Sequence, residues 1–224
     1  MTVNISRLTI TTPVATSSTN PVALELSGAE AIAQFPKIVT ALPDGSVRFT
    51  APTKGASSKS THRTRCEWKE PVYWSLASAA EHINLQEMTL TKVNSAQKVV
   101  VSQLHVEDDD SPPVKVFWNE GDITMGFRKT FNQGEPVNTT LLESVPLGAK
   151  FRVTIRVLAS GALTVTAECN GRARSSGRLL LDSSWRSSRL NFHGGIYNQV
   201  DYSDTTPASD GSICIISKLS LTHS

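Results

Sequence analysis

Along most of its length the chain alternates apolar and polar residues with a period of two, in short runs broken by Gly, Pro, Asp and Ser. That is the pattern of half-buried strands joined by turns. In Lys98 to Val106, Val99, Val101, Gln103 and His105 share one face, opposed by Val100, Ser102, Leu104 and Val106. Phe151 to Leu158, a turn at Ala159-Ser160-Gly161 and Leu163 to Ala167 spell a hairpin. Further strands are expected over residues 1–12, Val47 to Thr50, Thr61 to Glu70, Val114 to Trp118, Ile123 to Lys129, Leu179 to Leu181 and Ile213 to Leu221, with a less regular stretch from Val72 to Asn94. One substantial helix is expected. Ser27 with Glu30 three residues on is a capping box, and Ala29 to Phe35 supplies helix formers before Pro36 stops them.

The stretch from Arg189 to Asp201 is the most informative. Read as a strand, it turns Asn191, His193, Gly195, Tyr197 and Gln199 one way, while Leu190, Phe192, Ile196, Asn198 and Val200 point mainly into apolar packing. Gly194 and Gly195 weaken a strand unless something approaches its backbone closely, so the stretch reads as the floor of a groove beneath an extended ligand. The long polar connection from Phe131 to Thr140 is of the kind that forms a lid. Ten or more short strands, without βαβ alternation or repeats, predict an all-β fold. The expected architecture is a β-jelly-roll sandwich of two antiparallel sheets with a concave groove and one short N-terminal helix, a single domain over residues 1–224.

Composition narrows the chemistry. A chain of 224 residues with 39% hydrophobic content buries one large core, and a formal charge of +2 gives no reason to expect nucleic acid. No apolar run suggests a membrane partner, and a monomer is expected. Met1 to Arg7 shows no secretory signal, which points to a cytoplasmic protein or one released by a non-classical route. Lys54, Lys59, Arg63, Arg65 and Lys69 cluster within sixteen residues, either as an anion-attracting patch or as a solvated strand edge. Cys66, Cys169 and Cys214 form neither a CxxC pair nor a disulfide framework. The five histidines lack ligand spacing and the carboxylates of Asp108 to Asp110 are consecutive, so no metal is expected. No nucleophile elbow, HExxH or phosphate-binding loop is present. Two-carboxylate hydrolysis stays open through Glu67, Glu107, Glu120, Glu143 and Glu168, but the polar strand faces offer mostly Arg, Gln, His and Tyr.

That set suits removal of a proton beside a carboxylate. As the C5 proton of a uronate leaves, its carboxyl group must take up charge. An Arg and a Gln donating to it offset the cost. A His or Tyr takes the proton, and a phenol protonates the departing oxygen; no cofactor is needed. Here three motifs acquire meaning together. Gln103-Leu104-His105 resembles the Gln-x-His motif of the family 7 alginate lyases, and Gly195-Ile196-Tyr197-Asn198-Gln199 resembles the end of that family's YFKxGxYNQ motif. Arg63-Thr64-Arg65-Cys66-Glu67 falls where its R-[ST]-E-L-R motif belongs. The order is the family's, with 40 residues from Arg63 to Gln103 and 92 from His105 to Tyr197.

The resemblance implies an endolytic alginate lyase acting by β-elimination. Arg63 and Gln103 would neutralise the uronate, and Tyr197 would protonate O4. Tyr197 would also serve as base on mannuronate, and His105 would be the base on guluronate. Arg65, Lys115, Asn191, His193, Asn198 and Gln199 would contact sugar. The chain departs from the pattern where Asn191 replaces a Tyr and His193 a Lys, where Arg65 and Glu67 stand as if exchanged, and where Leu104 replaces the Ile or Val associated with block preference. Two other readings use the same groove: a noncatalytic module binding acidic polysaccharide, and a lyase for another polyuronate such as glucuronan.

Overall fold

The computed structural model describes residues 2–19, 21–59 and 61–224. In chain order its strands are β1 (Thr9–Ala15), β2 (Ala23–Ser27), β3 (Val39–Ala41), β4 (Val47–Pro52), β5 (Arg65–Lys69), β6 (Glu81–Lys92), β7 (Lys98–Val106) and β8 (Val114–Asn119). They continue as β9 (Asp122–Phe127), β10 (Val137–Leu142), β11 (Lys150–Leu158), β12 (Ala162–Cys169), β13 (Arg172–Ser175), β14 (Leu179–Leu180), β15 (Leu190–Asn198) and β16 (Gly211–His223). One sheet runs β10-β9-β8-β7-β15-β5-β1-β2 and the other β13-β12-β11-β6-β16-β4-β3, with β14 beside β12. All the strand pairings are antiparallel, giving the expected jelly-roll sandwich. The helix α1 (Gly28–Gln34) starts at the Ser27–Glu30 capping box.

The core lies between the sheets around Trp68, Phe49, Phe192, Met88, Leu104 and Ile155, all essentially inaccessible. The anticipated hairpin forms as β11 and β12, turning at Gly161 with φ +84°. Three expectations need correction. The stretch read as irregular contains the twelve-residue strand β6, whose burial alternates from Glu81 to Leu90. Its inward positions begin with His82, Asn84 and Gln86, so hydrophobicity alone hides the period. The stretch read as a lid ends in the edge strand β10, which takes in its last four residues, Val137 to Thr140, and pairs with β9. Third, Gly194 and Gly195 face protein. A Cβ on Gly194 would lie 2.6 Å from both Gln86 and Trp68, and Gly195 adopts φ +110°. The glycines admit the opposite sheet and form a bulge; no ligand is needed to explain them.

That bulge belongs to a pair. Register slips between Gly194 and Tyr197 against β7, and between Val100 and Ser102 of β7 against β8. Each extra residue breaks the alternation, so Val99 and Val101 both enter the core with Leu104 and Val106, while Gln103 and His105 stay on the groove side. A bulge leaves backbone groups unpaired. Gln86 of the other sheet reaches across to one of them, donating from Nε2 to the Val101 carbonyl at 2.9 Å and accepting from Trp68 Nε1 at 2.7 Å. Beside it, Asn84 donates to Ser102 Oγ at 3.0 Å.

Candidate active site

Cross-strand pairing decides which side chains meet. Tyr197 of β15 lies opposite Arg65 of β5, His193 opposite Gln103 of β7, and Gln103 in turn opposite Lys115 of β8. Arg65, Gln103, His105, Lys115 and Tyr197 therefore converge on one cavity of about 410 Å³, with Arg63, Asp110 and Asp201 at its walls. A second cavity of about 190 Å³ shares Arg65, His105 and Asp110 with the first and continues past His193, Lys69 and Tyr73. Together they form a trough across β8, β7, β15 and β5.

Glu67, which the sequence offered only as a possible hydrolytic carboxylate and as the motif partner of Arg65, organises its floor. It is 2% exposed and accepts from Gln103 Nε2 at 2.7 Å and from Arg65 at 3.4 Å. Because a carboxylate only accepts, this contact fixes the Gln103 amide with its NH₂ group toward Glu67 and leaves one N–H uncommitted. Burial raises the Glu67 carboxyl above its ordinary range, opposed by Arg65 and by the Gln103 hydrogen bond. The Arg65 guanidinium lies 3.8 Å above the Tyr197 ring centre, and its Nε has no partner among the described residues. Arg65 thus keeps donors to spare beside the phenol.

Arg63 is placed differently. Its fork is occupied by Asp201, at 3.2 Å from both Nε and Nη2, and Nη1 reaches Gln199 Oε1 at 3.4 Å. Two lysines of the basic cluster are also engaged, Lys69 with Glu25 at 2.6 Å and Lys54 with the Asp204 carbonyl at 3.5 Å. The N-terminal motif can also be counted from two residues further along, since both arginines line the same cavity. Read from Arg65, Arg-Cys-Glu-Trp-Lys carries its arginine first and its glutamate third, so no exchange is needed, and Lys69 occupies the last place.

Two expected sugar contacts are corrected. Asn198 is fully buried on the inner side of β15, donating to the Ala51 carbonyl and Thr64 and accepting from Asn94 and Ser212. It ties the sheets together. Asn191 has no exposed surface, and its Nδ2 donates to the Glu70 carbonyl at 3.0 Å. Gln199 turns back on its own strand, donating to the Asn198 carbonyl at 3.1 Å. His193 lines the second cavity, and Lys115 the first. Among the described residues no cluster of three or more His, Cys, Asp or Glu is placed to hold a metal.

His105 donates from Nδ1 to the Val106 carbonyl at 2.8 Å, which makes Nε2 the basic nitrogen of a neutral ring. Burial, with Lys115 and Arg65 adding to it, lowers its pKa to about 4. Lys115 is lowered too, chiefly by burial. The His105 shift has a stability consequence. The unfolded chain takes the proton near pH 6.5 and the folded one only near pH 4. His105 therefore withdraws stability as pH falls through that window, by about 2 kcal/mol between pH 7 and pH 5. Buried His193 acts in the same sense, and Glu67, raised, in the opposite one. Urea midpoints at the two pH values should separate less in His105→Gln than in the wild-type chain; equal separation would contradict the assignment.

A jelly roll with a trough bearing Arg, Gln, His, Lys and Tyr over an anion-sized cavity defines a β-sandwich for acidic polysaccharide. The comparisons agree. The chain resembles the crystal structure of alginate lyase PA1167 from Pseudomonas aeruginosa, with TM-score 0.83 and 23% identity, over 99% of this chain and 100% of that one. It also resembles alginate lyase A1-II′, a member of polysaccharide lyase family 7, with TM-score 0.78 and 23% identity over 98% and 96%. A third likeness is to the alginate lyase from Klebsiella pneumoniae, with TM-score 0.81 and 18% identity over 99% and 97%. A search of the curated proteins finds no match. A family model described as alginate lyase matches residues 3–223. The chain belongs to the alginate lyase family. It is a polysaccharide lyase whose substrate is alginate.

Proposed function

We propose that the chain cuts alginate endolytically by β-elimination, with Arg65, Gln103 and Lys115 neutralising the uronate carboxylate. The observation that carries this reading is the convergence of these three donors with Tyr197 and His105 on one cavity. Arg65 takes the role that the motif's first arginine would have, and Arg63 becomes a wall residue held by Asp201. With the carboxylate neutralised, the C5 proton leaves to a base, the C4–O4 bond breaks with formation of a C4–C5 double bond, and Tyr197 protonates the O4 leaving group. Where the proton and O4 lie on one side, as in mannuronate, Tyr197 serves as base and then acid. In guluronate His105, through Nε2, takes the proton from the opposite side. All these groups come from one chain, so we read a monomer as sufficient.

The test is ultraviolet absorbance on mixing the protein with polymannuronate, polyguluronate, alternating alginate and glucuronan in turn. Elimination creates a conjugated double bond; binding or hydrolysis creates none. Absorbance growing on alginate with an early fall in viscosity is the expected result. Binding without absorbance on any of the four would return the chain to a noncatalytic role. His105→Asn is expected to depress kcat on guluronate blocks about 10²-fold more than on mannuronate blocks, the lower range for losing a positioned base. Equal losses on both would count against separate bases.

A further inference from the structure

His193 is the groove residue that the chemistry above leaves without a task. It is 7% exposed, and its Nε2 has no hydrogen-bond partner among the described residues. Burying a ring nitrogen unpaired costs stability, so packing of the ring itself must hold the side chain there. That packing is specific. The imidazoles of His193 and His105 are stacked, with centroids 4.4 Å apart and planes 7° from parallel. Since His105 Nδ1 is committed to the Val106 carbonyl, a proton taken at Nε2 puts a positive charge on a ring lying flat against His193.

We propose that His193 is a positioning residue for His105: its uncharged ring fixes the plane of the His105 imidazole and faces the positive charge formed when His105 takes up a proton. The proposal rests on the reading of His105 as the base toward guluronate. A cation within about 6 Å of an aromatic face is attracted to it. The attraction is absent while His105 is neutral, so it favours the proton-transfer transition state over the resting enzyme. Other neighbours act on that charge in both senses. Arg65 from β5 and Lys115 from β8 repel it, and Asp110 from the β7–β8 connection attracts it. Glu67 is engaged with Arg65 and Gln103. Lys69 and Arg65 also act on His193, and with burial they keep its ring neutral. Two imidazolium rings at this spacing repel one another, so the pair carries one proton at a time.

The experiment is an NMR titration of His105 in the full chain and in His193→Phe, His193→Leu and His193→Lys, with kcat measured on guluronate-rich and mannuronate-rich chains. Removing the aromatic face in His193→Leu should lower the His105 midpoint by roughly half a pH unit. His193→Phe, which keeps a ring face, should stay closer to wild type than Leu does, and His193→Lys should fall furthest. The kcat on guluronate-rich chains should drop about two- to fivefold with Leu and more than tenfold with Lys, and on mannuronate-rich chains by less. An unchanged His105 midpoint in His193→Leu overturns the proposal, as does a Phe variant that falls as far as Leu. Should the Leu variant not fold, an unmoved midpoint in His193→Lys overturns it instead. If the midpoints move as expected while His105→Asn spares guluronate cleavage, the stacked pair stands and the assignment of His105 as base fails.

Discussion

Tyr197→Phe is expected to lower kcat by about 10²-fold or more on every block type, the range for losing a positioned proton donor. The substitution is unusually clean. The Tyr197 hydroxyl makes no hydrogen bond to the described residues, so its removal strands no buried partner. The ring itself, 8% exposed and covered by the Arg65 guanidinium at 3.8 Å, is retained in Phe. Thermal unfolding should therefore hardly move while turnover collapses. A loss on both mannuronate and guluronate is required, because O4 must be protonated whichever group takes the C5 proton. A variant that still releases unsaturated product at near-normal rate would remove Tyr197 from the chemistry.

Arg65→Ala is expected to cost about 10² to 10³ in kcat/KM, the scale for removing one donor from a site that stabilises developing negative charge. Arg63→Ala should cost only a few fold, since its fork is already closed on Asp201 at the half-exposed wall. The contrast decides which arginine meets the uronate. Arg65→Ala also withdraws a counter-charge from buried Glu67, so Arg65→Lys is the companion variant: it restores charge but not the planar fork, and should recover folding ahead of activity. If Arg63→Ala proves the more damaging, the motif belongs two residues earlier and the carboxylate lies nearer Asp201 than proposed.

Period-two patterning was enough to read the sandwich, because most strands bury aliphatic residues on one side. The β11–β12 hairpin was legible almost to the residue, with Val153, Ile155 and Val157 inward and Gly161 at the turn. Strand β6 was not, since a side chain counts as core by its surroundings, and His82, Asn84 and Gln86 are as inaccessible as Met88. The faces of β7 were misjudged beyond Val100 because a bulge leaves no local mark in the sequence. In the trough, Gln103, His105 and Tyr197 could be found from their motifs. Which of Arg63 and Arg65 meets the uronate is not legible there, because residues two apart in an extended stretch share a face; what differs is their partners, Asp201 and Glu67. Asn198 was misplaced for a related reason: motif membership does not separate a sugar contact from a buried amide.

Gln86 has the widest reach of these residues. Its amide, rooted in the far layer, holds the carbonyl at the point where β7 buckles, next to the residues that would grip the sugar acid. Heat should consequently extinguish turnover and melt the whole molecule at one temperature, with no inactive yet folded species in between, and remodelling the trough for another polymer would succeed only while the layer behind it is left alone.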